Sequence, residues 1–218
     1  MIDWKNIDTV LLDMDGTLLD LNFDNHFWKE FVPQKFAEQN GLSLAQAKQQ
    51  LEPQFKHMEG KLEWYCLDYW SAELQLDIAG LKAEISGLIA VLPHVSEFLE
   101  KLVTARQQVF LVTNAHRDSL NLKMEKTCLQ PFFDGIISSH DLGLPKEQLG
   151  FWSLLQQHHV FEKQRTVLID DSLAVLNSAK QFGIAKVIAV TKPDSQQPLR
   201  HVSDYLAIAD FRELMAGL

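Results

Sequence analysis

Positive charge is in short supply in this chain: 20 lysines and arginines stand against 29 acids over 218 residues, a formal net charge of −9. Nucleic-acid backbones are gripped by basic stripes, so this balance argues against a nucleic-acid polymer as partner. An acidic chain that handles a phosphorylated molecule needs a local source of positive charge, and a divalent metal is the simplest one. Cysteine is scarcer still. Cys66 and Cys128 could form one bridge, but their number and spacing make neither a disulfide framework nor a zinc site. A reducing compartment with both as buried small hydrophobes is the expectation. No apolar run approaches the ~18 residues of a membrane span. The start, Met1-Ile2-Asp3-Trp4-Lys5, lacks the charged-then-apolar pattern of a leader. A cytoplasmic protein with no membrane partner is therefore expected. Internal repeats and low-complexity tracts are also missing.

What is present is ordinary for a globular protein, 46% hydrophobic and 22% charged. The length suits one domain, or one domain with a sizeable insertion, and needs no covalent staples. The stretch that organises the rest is residues 9–20, TVLLDMDGTLLD. Val10–Leu12 reads as a short strand buried on both faces, the look of a central parallel strand. It stops at two carboxylates, Asp13 and Asp15, and Gly16 then permits a sharp turn. Ligands of open α/β sheets bind just beyond the carboxyl ends of strands. Two acids one residue apart at such a place repel unless a cation lies between them.

From about 21 to 92 the pattern is helical. Phe27, Trp28, Phe31, Val32 and Phe36 recur at helical spacing, with Pro33 as a break or kink. Gly41 fits a helix end, and Ser43 with Gln46 a capping box that opens a helix from about Leu44 to Met58, interrupted at Pro53. Residues 62–76 are rich in aromatics, and 78–92 reads as a further helix ending at Pro93. From Pro93 onward strands (109–113, 135–139, 166–169, 186–190) alternate with helices (94–105, 117–128, 147–159, 172–182). Thr191–Arg200 is expected to be a loop with some mobility, and 201–218 an edge strand followed by a closing helix. The pattern predicts an α/β fold, a doubly wound parallel sheet of Rossmann type, with an all-helical subdomain inserted after the first strand. The expected division is a core of 1–20 and 93–218 and a helical cap of 21–92, with hinges near 19–22 and 91–94.

Three later strands end in residues suited to phosphate chemistry. Val109–Val112 runs into Thr113-Asn114, whose hydroxyl and amide could hold phosphate oxygens or cap the next helix. Val167–Ile169 runs into Asp170-Asp171-Ser172, a second carboxylate pair. Lys146 lies in the loop after the strand at 136–139. Together these place four acids, a Thr-Asn pair and a lysine at one edge of one sheet.

With these residues in this order, the chain resembles the haloacid dehalogenase (HAD) superfamily, phosphatase branch. Asp13-Met14-Asp15-Gly16-Thr17, Thr113-Asn114, Lys146 and Asp170-Asp171 match its four motifs, and the insert resembles its C1-type cap. Many relatives carry Lys-Pro in the third motif, whereas Pro145 here precedes Lys146. The resemblance implies an enzyme, with Asp13 as nucleophile and Asp15 as general acid and base. It also implies Mg²⁺ held by Asp13, Asp15 (through its carbonyl), Asp170 and Asp171; the resemblance leaves open which of the last pair is the direct ligand, and Asp170 is expected as the primary one with Asp171 as the second. Phosphate would be contacted by Met14, Gly16, Thr17, Thr113, Asn114, Ala115 and Lys146. Thr17 could equally cap the next segment, and His116 could reach substrate or merely start a helix. The run Leu11–Leu21, Phe23-Asp24-Asn25, Trp64–Trp70 and Thr113–His116 further resembles the bacterial purine (GMP/IMP) 5′-nucleotidase branch, which also accepts flavin mononucleotide. That implies a small phosphate ester, a purine nucleoside monophosphate, as partner. Asn25, Trp28, Tyr65 and Tyr69 are cap candidates for base contact, although most cap aromatics are expected to glue a small helical core. Alternatives are a phosphatase for a sugar phosphate or phosphoglycolate, a phosphomutase, and a non-catalytic binding relative. A monomer or weak homodimer is expected.

Overall fold

The computed structural model describes residues 2–218; Met1, the first residue of the expected core segment and of the start considered above, lies outside them. Six parallel strands form one sheet: β1 (Thr9–Leu12), β2 (Gln108–Thr113), β3 (Gly135–Ser138), β4 (Thr166–Asp170), β5 (Lys186–Val190) and β6 (Leu206–Ile208), in the order β3-β2-β1-β4-β5-β6. The three central residues Val10, Leu11 and Leu12 are each fully buried. Side chains of a strand alternate between faces, and two cores follow from that alternation. Val10 and Leu12 join one cluster, with Val95, Phe98, Leu99 and Leu102 of α6 (Val95–Thr104) and Leu120 and Met124 of α7 (Arg117–Thr127). Leu11 joins the other, with Phe151, Trp152 and Leu155 of α9 (Leu149–His158) and Val175, Leu176 and Ala179 of α10 (Leu173–Phe182). The fold is the expected doubly wound α/β sheet.

Between β1 and α6 the chain is helical: α1 (Asn22–His26), α2 (Val32–Asn40), α3 (Leu44–Met58), α4 (Leu67–Leu74) and α5 (Ile78–Glu84). These carry a third, separate hydrophobic cluster around Phe27, Leu51, Trp70 and Ile78. A π-helical turn, Phe27–Phe31, links α1 to α2, and Val32 N–H donates to the Phe27 carbonyl. Pro33 has no N–H to give the preceding turn, and the wider turn absorbs that loss without ending the helix. Pro53 does not interrupt α3, contrary to the expectation, and Ser43 and Gln46 close the predicted capping box. The helix expected over 78–92 stops at Glu84; a 3₁₀ turn at 86–88 follows, and Val91 then pairs antiparallel with Leu19. Asp20 N–H donates to the Ala90 carbonyl and Leu92 N–H to that of Leu18, both at 2.9 Å. The two strands of chain entering and leaving the helical insert are thus tied side by side.

The remaining differences are local. A short helix, α8 (Ser139–Leu142), fills part of the loop before Lys146, and the closing helix is only a 3₁₀ turn at Phe211–Leu214. The 191–200 loop is anchored: Leu21 N–H donates to the Pro193 carbonyl, Asn25 Nδ2 donates to Asp194 at 2.7 Å, and Ser195 N–H donates to Asp20. Cys128 is exposed, because it ends α7 in a left-handed conformation, and Cys66 is half-buried, so neither is the buried hydrophobe expected.

Candidate active site

The sheet order reverses direction between β1 and β4, the topological switch point at which α/β sheets bind ligands. Leu12 pairs with Ile169 across that point. The next residues, Asp13 and Asp170, therefore emerge side by side, and Asp13 N–H donates to the Ile169 carbonyl at 3.0 Å. Register alone brings together two acids 157 positions apart, and the carboxylate of Asp171 joins them. Oxygens of Asp13, Asp170 and Asp171 lie within 4.8 Å of one another.

Lys146 holds two of these acids. Lys146 Nζ donates to Asp13 Oδ1 at 2.5 Å, to Asp170 Oδ2 at 2.8 Å and to the Val112 carbonyl at 2.9 Å. The reversed Pro145-Lys146 order leaves the lysine in place because its backbone is clamped. Lys146 N–H donates to Asn114 Oδ1, while Trp152 Nε1 and Ser178 Oγ both donate to its carbonyl. Burial alone would depress the Lys146 ammonium, but Asp13 and Asp170 outweigh it and hold the pKa above the usual lysine range. Burial raises Asp13 despite Lys146, with Asp170 reinforcing the rise. Asp170 is raised in the same way, by burial and then by Asp171. Asp171 is raised by burial and by Asp13, against Arg200, whose Nη1 donates to its Oδ2 at 3.1 Å. The Lys146 ammonium and the exposed Arg200 guanidinium leave one of the three carboxylate charges uncompensated. The donor set therefore fits a hard, oxygen-seeking divalent cation such as Mg²⁺.

Asp15 faces elsewhere. Its Oδ1 accepts from Lys123 Nζ at 2.6 Å, and Lys123 also donates to Asp24 Oδ2 at 2.6 Å. Lys82 Nζ donates to the other oxygen of Asp24, again at 2.6 Å. Lys123 and Lys82 are almost completely buried. Burial raises Asp15 above the normal carboxylate range against the pull of Lys123. Burial acts on Asp24 too, but its two lysines win and hold its pKa low. Sequence reasoning missed Asp24, Lys82 and Lys123 as a chain from the helical insert to Asp15. The one available signal was a lysine at an otherwise inward position of α7, beside Leu120 and Met124.

The cleft over these groups has a volume of about 780 Å³, within the range of small-molecule sites. Asp13, Asp15, Thr113, Asn114, Ala115, Lys146, Asp170 and Asp171 line it from the sheet, and Asn25, Trp28 and Tyr65 from the helical insert. Met14, Gly16 and Thr17 are not on its walls. Gly16 instead makes the turn possible: its φ is +85°, and a Cβ there would sit 2.8 Å from the Asp171 carboxylate. Thr17 is fully buried and its hydroxyl has no hydrogen-bond partner among the described residues, so it does not cap the next segment. Both ends of the Asn114 amide are engaged, Oδ1 by Lys146 N–H and Nδ2 by Glu147 Oε2. That side chain braces the lysine loop at the cleft wall. Thr113 Oγ1 accepts from Ala115 N–H at 3.0 Å, which leaves its own proton free to donate. Tyr65 Oη donates to Glu147 Oε1 at 2.6 Å, a further link from insert to core that the sequence did not disclose. Tyr69 does not line the cleft; it packs edge-on against Trp70. Trp28 and Trp64 stack with ring centroids 6.5 Å apart, and Phe55 lies edge-on to both. His116 starts α7, its ring accepting from Asp118 N–H.

Comparison with known proteins agrees with this geometry. The profile of the family described as haloacid dehalogenase-like hydrolase matches residues 10–190. The chain is 40% identical over 217 residues to the GMP/IMP nucleotidase YrfG of Escherichia coli (strain K12), covering 100% of this chain and 98% of that one. The Shigella flexneri protein of the same name matches to the same extent. Among solved structures, an HAD phosphatase from Thermococcus onnurineus superposes with a TM-score of 0.80 at 21% identity, over 96% of this chain and 97% of that one. The L-2-haloacid dehalogenase of Xanthobacter autotrophicus gives 0.65 at 16% identity, over 96% and 97%; at these identities the likeness speaks of fold. The chain belongs to the haloacid dehalogenase-like hydrolase family.

Proposed function

We propose that this protein hydrolyses purine nucleoside 5′-monophosphates through an aspartyl-phosphate on Asp13. The observation that carries the reading is the Lys146 ammonium held between Asp13 and Asp170 at the switch point, with Asp15 two residues from the first. One Asp13 oxygen attacks phosphorus and the ester P–O bond breaks, while Asp15 gives its proton to the departing alkoxide. Water then attacks the phosphorus of the acyl phosphate and gives a proton to the Asp15 carboxylate, the acyl P–O bond breaks, and Asp13 and inorganic phosphate are released. Lys146 and the Thr113 hydroxyl donate to the charge that builds on the phosphoryl oxygens. Asp13, Asp170 and Asp171, with the Asp15 carbonyl, are the residues to hold Mg²⁺, which neutralises phosphate charge so that an anionic nucleophile can approach.

Residues 21–92 are read as the substrate-selecting cap and 1–20 with 93–218 as the catalytic core. The cap opens and closes about the paired linkers at 19–22 and 91–94. Trp28, with Phe55 and Trp64, offers flat faces on which a purine can stack, and Asn25 and Tyr65 offer polar atoms at the same wall. The full-length similarity to proteins named GMP/IMP nucleotidase supports purines over sugars. A cytoplasmic location completes the reading; among the described residues no helix is long and apolar enough to cross a membrane.

The test is phosphate release from a panel of esters in the presence of Mg²⁺. GMP and IMP are expected to give the highest kcat/KM, and Asp13→Asn to lose about 10⁴-fold or more in kcat with an unchanged circular dichroism spectrum. A preference for hexose phosphates or phosphoglycolate overturns the substrate, and turnover by Asp13→Asn overturns the mechanism.

A further inference from the structure

Where the cap meets the core, a second cluster of metal-ligating side chains has no part in the chemistry above. Cys66 lies at the start of α4, His116 at the start of α7 and His140 in α8, so one comes from the helical insert and two from the sheet domain. Their ligating atoms lie within 4.8 Å of one another. His140 Nε2 is buried and has no hydrogen-bond partner among the described residues. Burial, and then the neighbouring His116, keep the His140 imidazole below its usual pKa. His116 has an acid at each nitrogen: Asp68 Oδ2 lies 3.6 Å from Nε2, and Asp118 Oδ2 lies 3.6 Å from Nδ1. The two rings meet edge to face at 5.0 Å.

We propose that Cys66, His116 and His140 form a Zn²⁺-class site, with Asp68 or a water as fourth ligand, that pins the cap to the core. The donor chemistry selects the metal. A thiolate and two imidazoles suit a borderline cation and not the hard Mg²⁺ of the carboxylate cluster. Zn–S and Zn–N bonds of about 2.3 and 2.0–2.1 Å place neighbouring tetrahedral ligands roughly 3.5 Å apart, so a cluster already within 4.8 Å closes by no more than about 1.3 Å when filled. Asp68 is exposed and can swing to complete the tetrahedron. With Nε2 of His116 on the metal, Nδ1 exchanges its contact with Asp118 N–H for a proton that it donates to Asp118 Oδ2, 3.6 Å away, the carboxylate–histidine–metal arrangement of many zinc sites. The ligands are scattered over 74 positions in sequence, which is why cysteine spacing gave no hint of them. A filled site closes the seam beside Tyr65 and resists cap opening.

The experiment titrates full-length protein with Co²⁺ and Zn²⁺ under excess Mg²⁺, reading Co²⁺ absorbance and Zn²⁺ affinity by competition with a chromophoric chelator. The expected result is one Co²⁺ per chain with intense tetrahedral visible bands and a thiolate-to-cobalt charge-transfer band. Cys66→Ser should abolish that band, and Cys66→Ser and His140→Ala should each weaken Zn²⁺ at least tenfold. Asp170→Asn, which disables the carboxylate cluster, should keep the band. Co²⁺ binding without a thiolate band, or Zn²⁺ affinity unchanged in both Cys66→Ser and His140→Ala, overturns the site.

Discussion

Lys123 illustrates what one buried cation can settle. It lies on α7 of the core, yet it neutralises Asp15, which the mechanism needs, and Asp24, which belongs to the helical insert. Removing one partner of a buried ion pair leaves an uncompensated charge and costs about 3–5 kcal/mol. Lys123→Met is therefore expected to lower unfolding stability by that amount in urea titrations and to depress kcat, because the Asp15 carboxylate loses the donor that aims it. Asp24→Asn on top of Lys123→Met should cost less than the sum of the two single changes, since each alone already breaks the Lys123–Asp24 pair. Simple addition of the two losses would show that the three groups do not act as one network. Lys146 differs in kind: it is clamped by Asn114, Trp152 and Ser178 as well as by its acids, so its position does not depend on the cap.

Among the secondary elements, the helical insert is built by local signals that the sequence states openly, and its stability should divide accordingly. The Ser43 hydroxyl accepts from Gln46 N–H, and Gln46 returns a bond to Ser43 N–H, satisfying two otherwise orphaned donors at the start of α3. Ser43→Ala is expected to destabilise the protein by about 1 kcal/mol, read as a lowered urea midpoint. Turnover at saturating substrate should be unchanged, because Ser43 does not line the cleft. A change in kcat would mean that α3 transmits strain to the site. The π-turn at Phe27–Phe31 is the opposite case. The sequence announced a disturbance at Pro33, but periodicity cannot distinguish a kink, a break and a wider turn. The outcome was set by packing: Phe27 and Val32 are both fully buried in the insert's own core, which keeps the helix running through the proline.

At the scale of the molecule, the core holds more negative charge in one place than its own lysines offset, and binding of a divalent cation should stabilise the fold. A ligand at about 100 times its dissociation constant adds about 2.7 kcal/mol. For a chain of this size that corresponds to roughly 5–10 °C in Tm. Calorimetry with Mg²⁺ against EDTA is expected to show such a rise, and Asp170→Asn to erase it. An equal rise in that variant would locate the cation elsewhere. The joints between insert and core include Lys123–Asp24, Tyr65–Glu147 and Asn25–Asp194, and the proposed cap opening would have to break or carry them.

The sequence by itself determined the sheet, the insertion and the chemistry at the strand ends. Burial on both faces, the helical period and the Asp-x-Asp-Gly turn are local patterns, each readable within a dozen residues. Asp13, Asp170 and Lys146 were legible because each follows a strand of one parallel sheet, and a parallel sheet collects its carboxyl ends on one edge. Only the tertiary structure decided which side chains face each other across that edge and across the seam. It turned Asp15 toward Lys123, used up the Asn114 amide behind the lysine loop, and set Tyr69 away from the cleft. It also brought Cys66, His116 and His140 into one cluster. These pairings join residues tens of positions apart, and side-chain direction follows from packing, which no local period encodes.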